Sequence, residues 1–416
     1  MISMGCRLNI AESETLRQNL AASNVDGDNL IIVNSCAVTN EAVRQTRQTI
    51  RRIKKDNPEK NIIVTGCAAQ IDPAMFAAMP ETSAVVGNGD KYDVSNFKLG
   101  LQSNRPDIRV SDIMQITETA PHMVSAFADR SRAFVEIQNG CDHRCTFCII
   151  PFGRGNSRSV PAGLVVDQVQ ALVDKGFNEV VLTGVDVTSY GPDLPGAPTL
   201  GMLVERILKH VPGLPRLRLS SLDGIEIDDR LFDLLTSEAR LMPHVHLSLQ
   251  SGDNMILKRM KRRHSREQAI NLVERLKARR PEIAIGADII AGFPTEDDAM
   301  FENSRSIIAR CDIVHGHIFP YSPKQGTPAA KMPQVDGPVI KSRAKILRES
   351  AAQRALAWRR SLVGSRQSVL AEMSGDAGYS ENFARVQLDG SVSKGQIVPV
   401  DITGMENEQL TGRVAA

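Results

Sequence analysis

From Leu30 to Phe319, short apolar runs alternate with amphipathic helical stretches, and this alternation restricts the fold more than any other feature of the chain. Strand, helix and strand in succession build a parallel sheet with helices on its faces. A first block has runs at Leu30–Asn34 and Asn61–Thr65, a shorter one at Ile2–Gly5, and helices over Glu12–Ala22 and Asn40–Lys55. A second block has strand-like runs at Ala133–Gln138, Glu179–Gly184, Arg216–Ser221, Val245–Gln250, Ile283–Gly292 and Ile313–Phe319. Helical patterns over Ala162–Lys175, Thr199–His210, Asp228–Ser237, Ser265–Arg279 and Glu296–Ala309 join them. Six βα units predict a barrel, and six is short of the eight that close one. The barrel is therefore expected to be open.

Near the end, Ser368–Met373, Phe383–Leu388, Gln396–Ile402 and Gln409–Val414 are short strands between Gly, Ser and Asn turns, which predicts a small β-barrel. The expected fold class is α/β. It divides into an N-terminal parallel α/β sheet domain over 1–100, an irregular linker over 101–130, an open (βα)6 partial barrel over 131–360 and a small β-barrel over 361–416. A chain of 416 residues is long enough for these units. No apolar run approaches the ~20 residues of a membrane span, and Met1–Glu14 lacks an apolar signal-peptide core, so no membrane partner is expected.

The chemistry-bearing residues are cysteines. Seven of them, an odd number in a large chain, do not form a disulfide framework and point to a reducing cytoplasm. Cys141, Cys145 and Cys148 fall within eight residues as C-x3-C-x2-C. Three thiolates so spaced suit an iron–sulfur site with one iron left open. A closed zinc site with His143 as fourth ligand is the alternative. Cys6, Cys36 and Cys67 each follow a strand of the first block, and ligands in parallel sheets lie beyond the carboxyl ends of strands. These three are expected to converge into a second metal-ligating set. Cys311 starts a strand at the opposite end and reads as a packing residue.

The same strand-end logic selects Gly184, Asp186, Ser220 and Gln250 as contacts for a close-fitting cofactor. The net charge of +2 carries little information, but local clustering does. Val43–Lys55 holds six basic residues and no acidic one, and Lys341–Arg360 holds seven against Glu349 alone. Both suit phosphate contacts. Aromatics at 4% argue against recognition dominated by base stacking.

Together these motifs resemble the radical-SAM methylthiotransferases. The resemblance rests on Gln138-Asn139-Gly140-Cys141 through Cys148-Ile149-Ile150-Pro151-Phe152-Gly153-Arg154-Gly155, and on Gly5-Cys6-Arg7-Leu8-Asn9, Asn34-Ser35-Cys36 and Thr65-Gly66-Cys67. It covers essentially the whole chain, with the small C-terminal barrel similar to a TRAM domain. Leu182–Gly191, His246–Gly252 and Phe319–Pro323 look most like the subgroup that modifies N6-threonylcarbamoyladenosine in tRNA. The chain starts closer to Gly5 than the family does, which leaves a short first strand to support Cys6.

The resemblance implies two 4Fe–4S clusters, on Cys141, Cys145 and Cys148 and on Cys6, Cys36 and Cys67. The open iron of the first would chelate S-adenosylmethionine, whose reductive cleavage gives a radical able to take hydrogen from C2 of the adenine. His143 would then not be a ligand, because that position belongs to S-adenosylmethionine. The implied partners are a tRNA anticodon loop, an electron donor and a sulfur source. Two other substrates remain open within the family, isopentenyladenosine in tRNA and a ribosomal-protein side chain. A non-catalytic, zinc-stabilised RNA-binding protein is the alternative of another class.

Overall fold

The computed structural model describes residues 1–23, 29–98, 106–117 and 130–415. Five parallel strands form the N-terminal sheet in sequential order: β1 (Ile2–Ser3), β2 (Leu30–Ser35), β3 (Asn61–Gly66), β4 (Ala84–Val86) and β5 (Asp107–Arg109). The central strands β2, β3 and β4 are largely buried on both faces, which is why β2 and β3 read as unbroken apolar runs rather than alternating ones. Ile62 and Val64 pack with Ile50 and Ile53 of the helix Asn40–Asp56. Ile32 and Ile63 face the other way, against Leu16 of the helix Arg7–Ala22.

Strands β4 and β5 were not expected, since three residues are too few to show a period. β5 corrects the linker reading, because Asp107–Arg109 of that stretch completes the sheet. Other parts of the linker, Asn104-Arg105 and Thr119–His122, lie outside the described residues.

The central unit has six parallel strand positions: β6 (Ala133–Asn139), β8 (Glu179–Gly184), a strand interrupted at Ser220 into β9 (Arg216–Leu219) and β10 (Ser221–Leu222), β11 (His244–Gln250), β12 (Ala284–Ala291) and β13 (Ile313–Pro320). A two-residue strand, β7 (Arg158–Ser159), lies antiparallel on the free edge of β6. No described pairing joins β13 back to β6, so the barrel stays open. Helices cover its outer face. The long helix Gly337–Leu362 packs on β13 through Ala344, Leu347 and Ala351.

Two other parts of the chain reach the barrel's concave side. The helix Arg7–Ala22 sends Ala11 into the barrel core. From the other direction comes the C-terminal barrel, a closed five-stranded unit of β14 (Arg366–Ala371), β15 (Ala377–Ser380), β16 (Arg385–Asp389), β17 (Ile397–Glu406) and β18 (Gln409–Val414). The turn after β15 places Phe383, in the left-handed region at φ 69°, 5.0 Å from His244 and 6.0 Å from His315. Arg216 and Arg218 bind the C-terminal barrel through the carbonyls of Ser368, Ser380 and Glu381.

Arg218 and Glu179 are both fully buried and pair at 3.0 Å, with Arg216 a more distant partner at 3.7 Å. Truncating one member of a buried pair leaves the other charge uncompensated. Arg218→Ala should therefore lower stability by about 3–5 kcal/mol in urea melts. The exposed Lys345→Ala should change it by less than about 0.5 kcal/mol.

Candidate functional site

The N-terminal strands end in turns that bring three thiols together. Cys36 follows β2 and Cys67 follows β3, opening the helix Cys67–Ile71. Cys6 precedes the helix Arg7–Ala22. Gly5 sits at φ 95°, and a Cβ there would lie 2.8 Å from the Cys36 sulfur. Only glycine satisfies both the backbone and the space. Asn9 ties the turns together by donating to the carbonyls of Met4 and Ser35, at 2.7 and 3.0 Å. The Ser35 hydroxyl donates to the Thr65 carbonyl and accepts from the Ala69 amide. The short β1 is thus compensated by side-chain hydrogen bonds.

Cys141, Cys145 and Cys148 lie in the loop after β6. Gly140, at φ 71°, turns the chain where a Cβ would overlap the Asn156 carbonyl. The Cys141 amide donates to the Gly155 carbonyl at 3.1 Å. Thr146 fixes the loop's middle: its amide donates to the Met260 carbonyl and its hydroxyl to that of Arg259. Arg262 spans Asp223 at 3.0 Å and the Cys145 sulfur at 3.9 Å.

One arginine joins the two sets. The helix Ile150–Arg154 follows Cys148 directly and packs on the helix Cys67–Ile71, with the Gly153 position against Cys67. Arg154 Nε donates to Cys67 Sγ at 3.1 Å. Its two Nη atoms donate to Glu12 at 2.7 and 3.0 Å and to Asn9 at 2.7 Å. Lys91 reaches Glu12 from the other side at 2.8 Å. All three charged side chains are at most 3% exposed. Glu12 is held well below the usual carboxylate range because the pull of Arg154 and Lys91 outweighs its burial. Burial raises the Cys36 and Cys148 thiols to about 11, with Cys67 adding to both. The two sets are therefore close enough to act on one another.

All seven cysteines are free, and Cys311 is fully buried in the barrel core. His143 donates to Asp186 at 2.8 Å and lies 3.7 Å from Glu226. Those two carboxylates lift it to about 10, Asp186 contributing more, so it is committed to them.

The four strand-end candidates have different immediate surroundings. Asp186 lies beside the first cysteine set, 3.8 Å from Cys141 Sγ. Gly184 is pressed on β6, where a Cβ would meet the Gln138 carbonyl at 2.6 Å. Ser220 marks the break between β9 and β10, and its amide donates to the Leu182 carbonyl. Gln250 lines a cavity of about 190 Å³ with Val38 and Thr39 from the N-terminal unit and Phe147, Asp288 and Tyr321 from the barrel. A larger cavity of about 470 Å³, between the helices Asp229–Ser237 and Arg266–Arg279, is lined by no cysteine. Sequence reasoning missed Glu12, Lys91 and Arg262 altogether. Arg154 stood in the quoted motif without a role.

A model of the radical SAM superfamily matches residues 135–307, and one of the uncharacterized protein family UPF0004 matches residues 1–87. The fold likeness extends to a radical S-adenosylmethionine methyltransferase, TsrM from Kitasatospora setae, with a TM-score of 0.53 over 85% of this chain and 76% of that one, at 15% identity. The chain is 51% identical over 406 residues to the threonylcarbamoyladenosine tRNA methylthiotransferase MtaB of Rickettsia prowazekii, spanning 98% of this chain and 95% of that protein. Its identity to the Bacillus subtilis protein of the same name is 34%, over 96% and 92%. A tRNA-2-methylthio-N(6)-dimethylallyladenosine synthase of Maricaulis maris is 31% identical, over 98% and 95%. The chain belongs to the radical-SAM methylthiotransferase family.

Glu136 borders the buried network. Asn139 donates to one of its oxygens at 2.8 Å, and the other is buried without a partner. Burial, then the charge of Glu12, raises Glu136 to about 7. A raised carboxyl contributes stability fully below its unfolded pKa and loses it as pH rises through the folded one. Stability should fall between about pH 4.5 and pH 7 as the unfolded chain releases this proton first. Glu136→Gln should flatten that part of the profile in denaturant melts across pH.

Proposed function

We propose that this chain is a radical-SAM enzyme that adds a methylthio group to C2 of N6-threonylcarbamoyladenosine beside the anticodon of tRNA. The observation that carries the reading is the pair of three-cysteine sets joined by Arg154, in a chain that matches the Rickettsia enzyme over nearly its full length. Cys141, Cys145 and Cys148 would hold one 4Fe–4S cluster and Cys6, Cys36 and Cys67 the other. The donor chemistry fits. Buried thiols with raised pKa values keep their protons until a cation stabilises the thiolates, and iron supplies that charge. His143, engaged by Asp186 and Glu226, leaves each set at three ligands. With S-adenosylmethionine bound, such clusters supply the radical and sulfur chemistry that an unactivated C2–H bond requires.

The chain's own groups bind, orient and exclude water. Gly184, Asp186, Ser220 and Gln250 are the proposed contacts for S-adenosylmethionine. Phe147 and Tyr321 make the cavity beside Gln250 apolar on one side, and Val38 and Thr39 close it from the N-terminal unit. An electron donor and a sulfur source complete the system. No described helix is long and apolar enough to cross a membrane, and cytoplasmic residence is part of the proposal.

The proposed tRNA surface is narrower than the charge runs implied. On the helix Gly337–Leu362, Arg343 is buried against Glu296 and Asp298, and Arg354 pairs with Asp312. Lys341 and Arg360 remain exposed. On the helix Asn40–Asp56, Arg44 pairs with Glu41 and the exposed Arg51 lies 3.9 Å from Glu81, while Arg52 and Lys55 are exposed. Replacing Arg47 and Arg51 with Glu should weaken tRNA binding and make log K less steep against log salt by one to two units. Cluster content should not change. Equal affinity at low salt would remove this face from the proposal.

Anaerobically purified protein should carry about eight irons, as two four-iron clusters require. Cys67→Ala and Cys145→Ala should each retain about half. Stoichiometric zinc without iron would contradict the reading. Mass spectrometry of tRNA nucleosides from a deletion strain tests the substrate. Loss of the methylthio form of threonylcarbamoyladenosine alone is expected, and loss of the isopentenyladenosine form instead would reassign it.

A further inference from the structure

The concave face of the barrel is rich in cations, and most of them are already engaged. Arg216 and Arg218 share Glu179 and carbonyls of the C-terminal barrel. Arg132 pairs with Glu372 at 2.7 Å. His246 and His317 both lie against Asp288, at 3.1 and 3.3 Å. His244 and His315 are kept neutral, chiefly by burial.

Arg7 differs. Among the described residues it makes no hydrogen bond or ion pair through its guanidinium, which lies 5.6 Å from the centre of the Phe383 ring. Arg132 and Arg218 approach the same ring at 5.2 and 4.8 Å. Three guanidinium groups thus crowd one aromatic ring, and Glu179 is already taken by Arg216 and Arg218. A cation in this position is one that a bound anion would relieve. Arg7 directly follows Cys6, so its side chain runs from the dispersed cysteine set toward the ring that closes the barrel's concave side.

We propose that Arg7 is the binding site for a carboxylate on the N6 arm of the target base. The inference rests on the substrate reading above, since a threonylcarbamoyl arm carries a carboxylate and an isopentenyl arm carries no charge. Guanidinium suits this group because it offers two parallel donors and stays charged. A site built to pair a carboxylate also disfavours an uncharged arm, which leaves the half-buried arginine unpaired. Arg7 would thereby contribute to selection between the two classes of modified adenosine.

The test uses the full-length, cluster-loaded enzyme and two anticodon stem-loop RNAs, one with the threonylcarbamoyl arm and one with its methyl ester. The wild type should favour the free carboxylate by about 10- to 100-fold in kcat/KM, and Arg7→Gln should abolish that preference, read as the ratio of the two kcat/KM values within the variant. Arg7→Lys should keep part of it. Binding of the same RNAs, measured without turnover, reports the preference even in a variant whose cluster beside Arg7 is impaired. A preference retained in Arg7→Gln would overturn the assignment while leaving the substrate reading intact. A wild type that methylthiolates neither RNA would overturn the substrate reading, and this site with it.

Discussion

The contact between Arg154 and the Glu12–Cys67 pair holds the molecule's chemistry together. Arg154 belongs to the barrel and follows the contiguous cysteines by six residues, whereas Glu12 and Cys67 lie on helices of the N-terminal unit. A buried guanidinium is costly unless every donor is used. Here Nε is taken by the Cys67 sulfur and both Nη atoms by Glu12, Asn9 and Asn139. Lys91 completes the neutralisation of Glu12. A displacement of one unit against the other would strand several buried charges at once. The relative placement of the two cysteine sets is therefore specified by electrostatics as well as by shape.

The same principle recurs on the barrel's concave side at lower stringency. Glu179 anchors Arg216 and Arg218, which in turn hold the C-terminal barrel by its carbonyls, and Phe383 fills the space between them. An open barrel of six strands would expose its interior. The N-terminal helix and the C-terminal turn each cover part of that interior, and His317 and Phe319 on the edge strand stay exposed. The fold thus leaves a way in for a large substrate while shielding the ground around the cysteines.

Much of this architecture was legible. The six central strands lie within about two residues of their expected limits, since buried parallel strands show as long apolar runs. Where the reading failed, the physical signal was weak. The first helix begins at Arg7 rather than Glu12, because Arg7 and Asn9 are polar and break the apolar period, Asn9 bonding to the cysteine turns. Strand β15 (Ala377–Ser380) passed unseen, having four residues and no β-branched one. The basic run of Lys341–Arg360 read as a phosphate-contact face throughout, although Arg343 and Arg354 bind acidic partners far away in sequence. The network around Glu12 was invisible for the same reason. Its members, Asn9 and Glu12, Cys67, Lys91, Asn139 and Arg154, come from five separate segments, and no local pattern marks a carboxylate that will be buried.

Arg154 joins the two cysteine sets, touching Cys67 while its own helix follows Cys148. Electron paramagnetic resonance of the reduced, cluster-loaded protein tests it most directly, compared with variants that lack either set. Facing clusters should couple magnetically, so the wild-type spectrum should be broadened and relax faster than the sum of the two single-cluster spectra. A wild-type spectrum equal to that sum would contradict the arrangement.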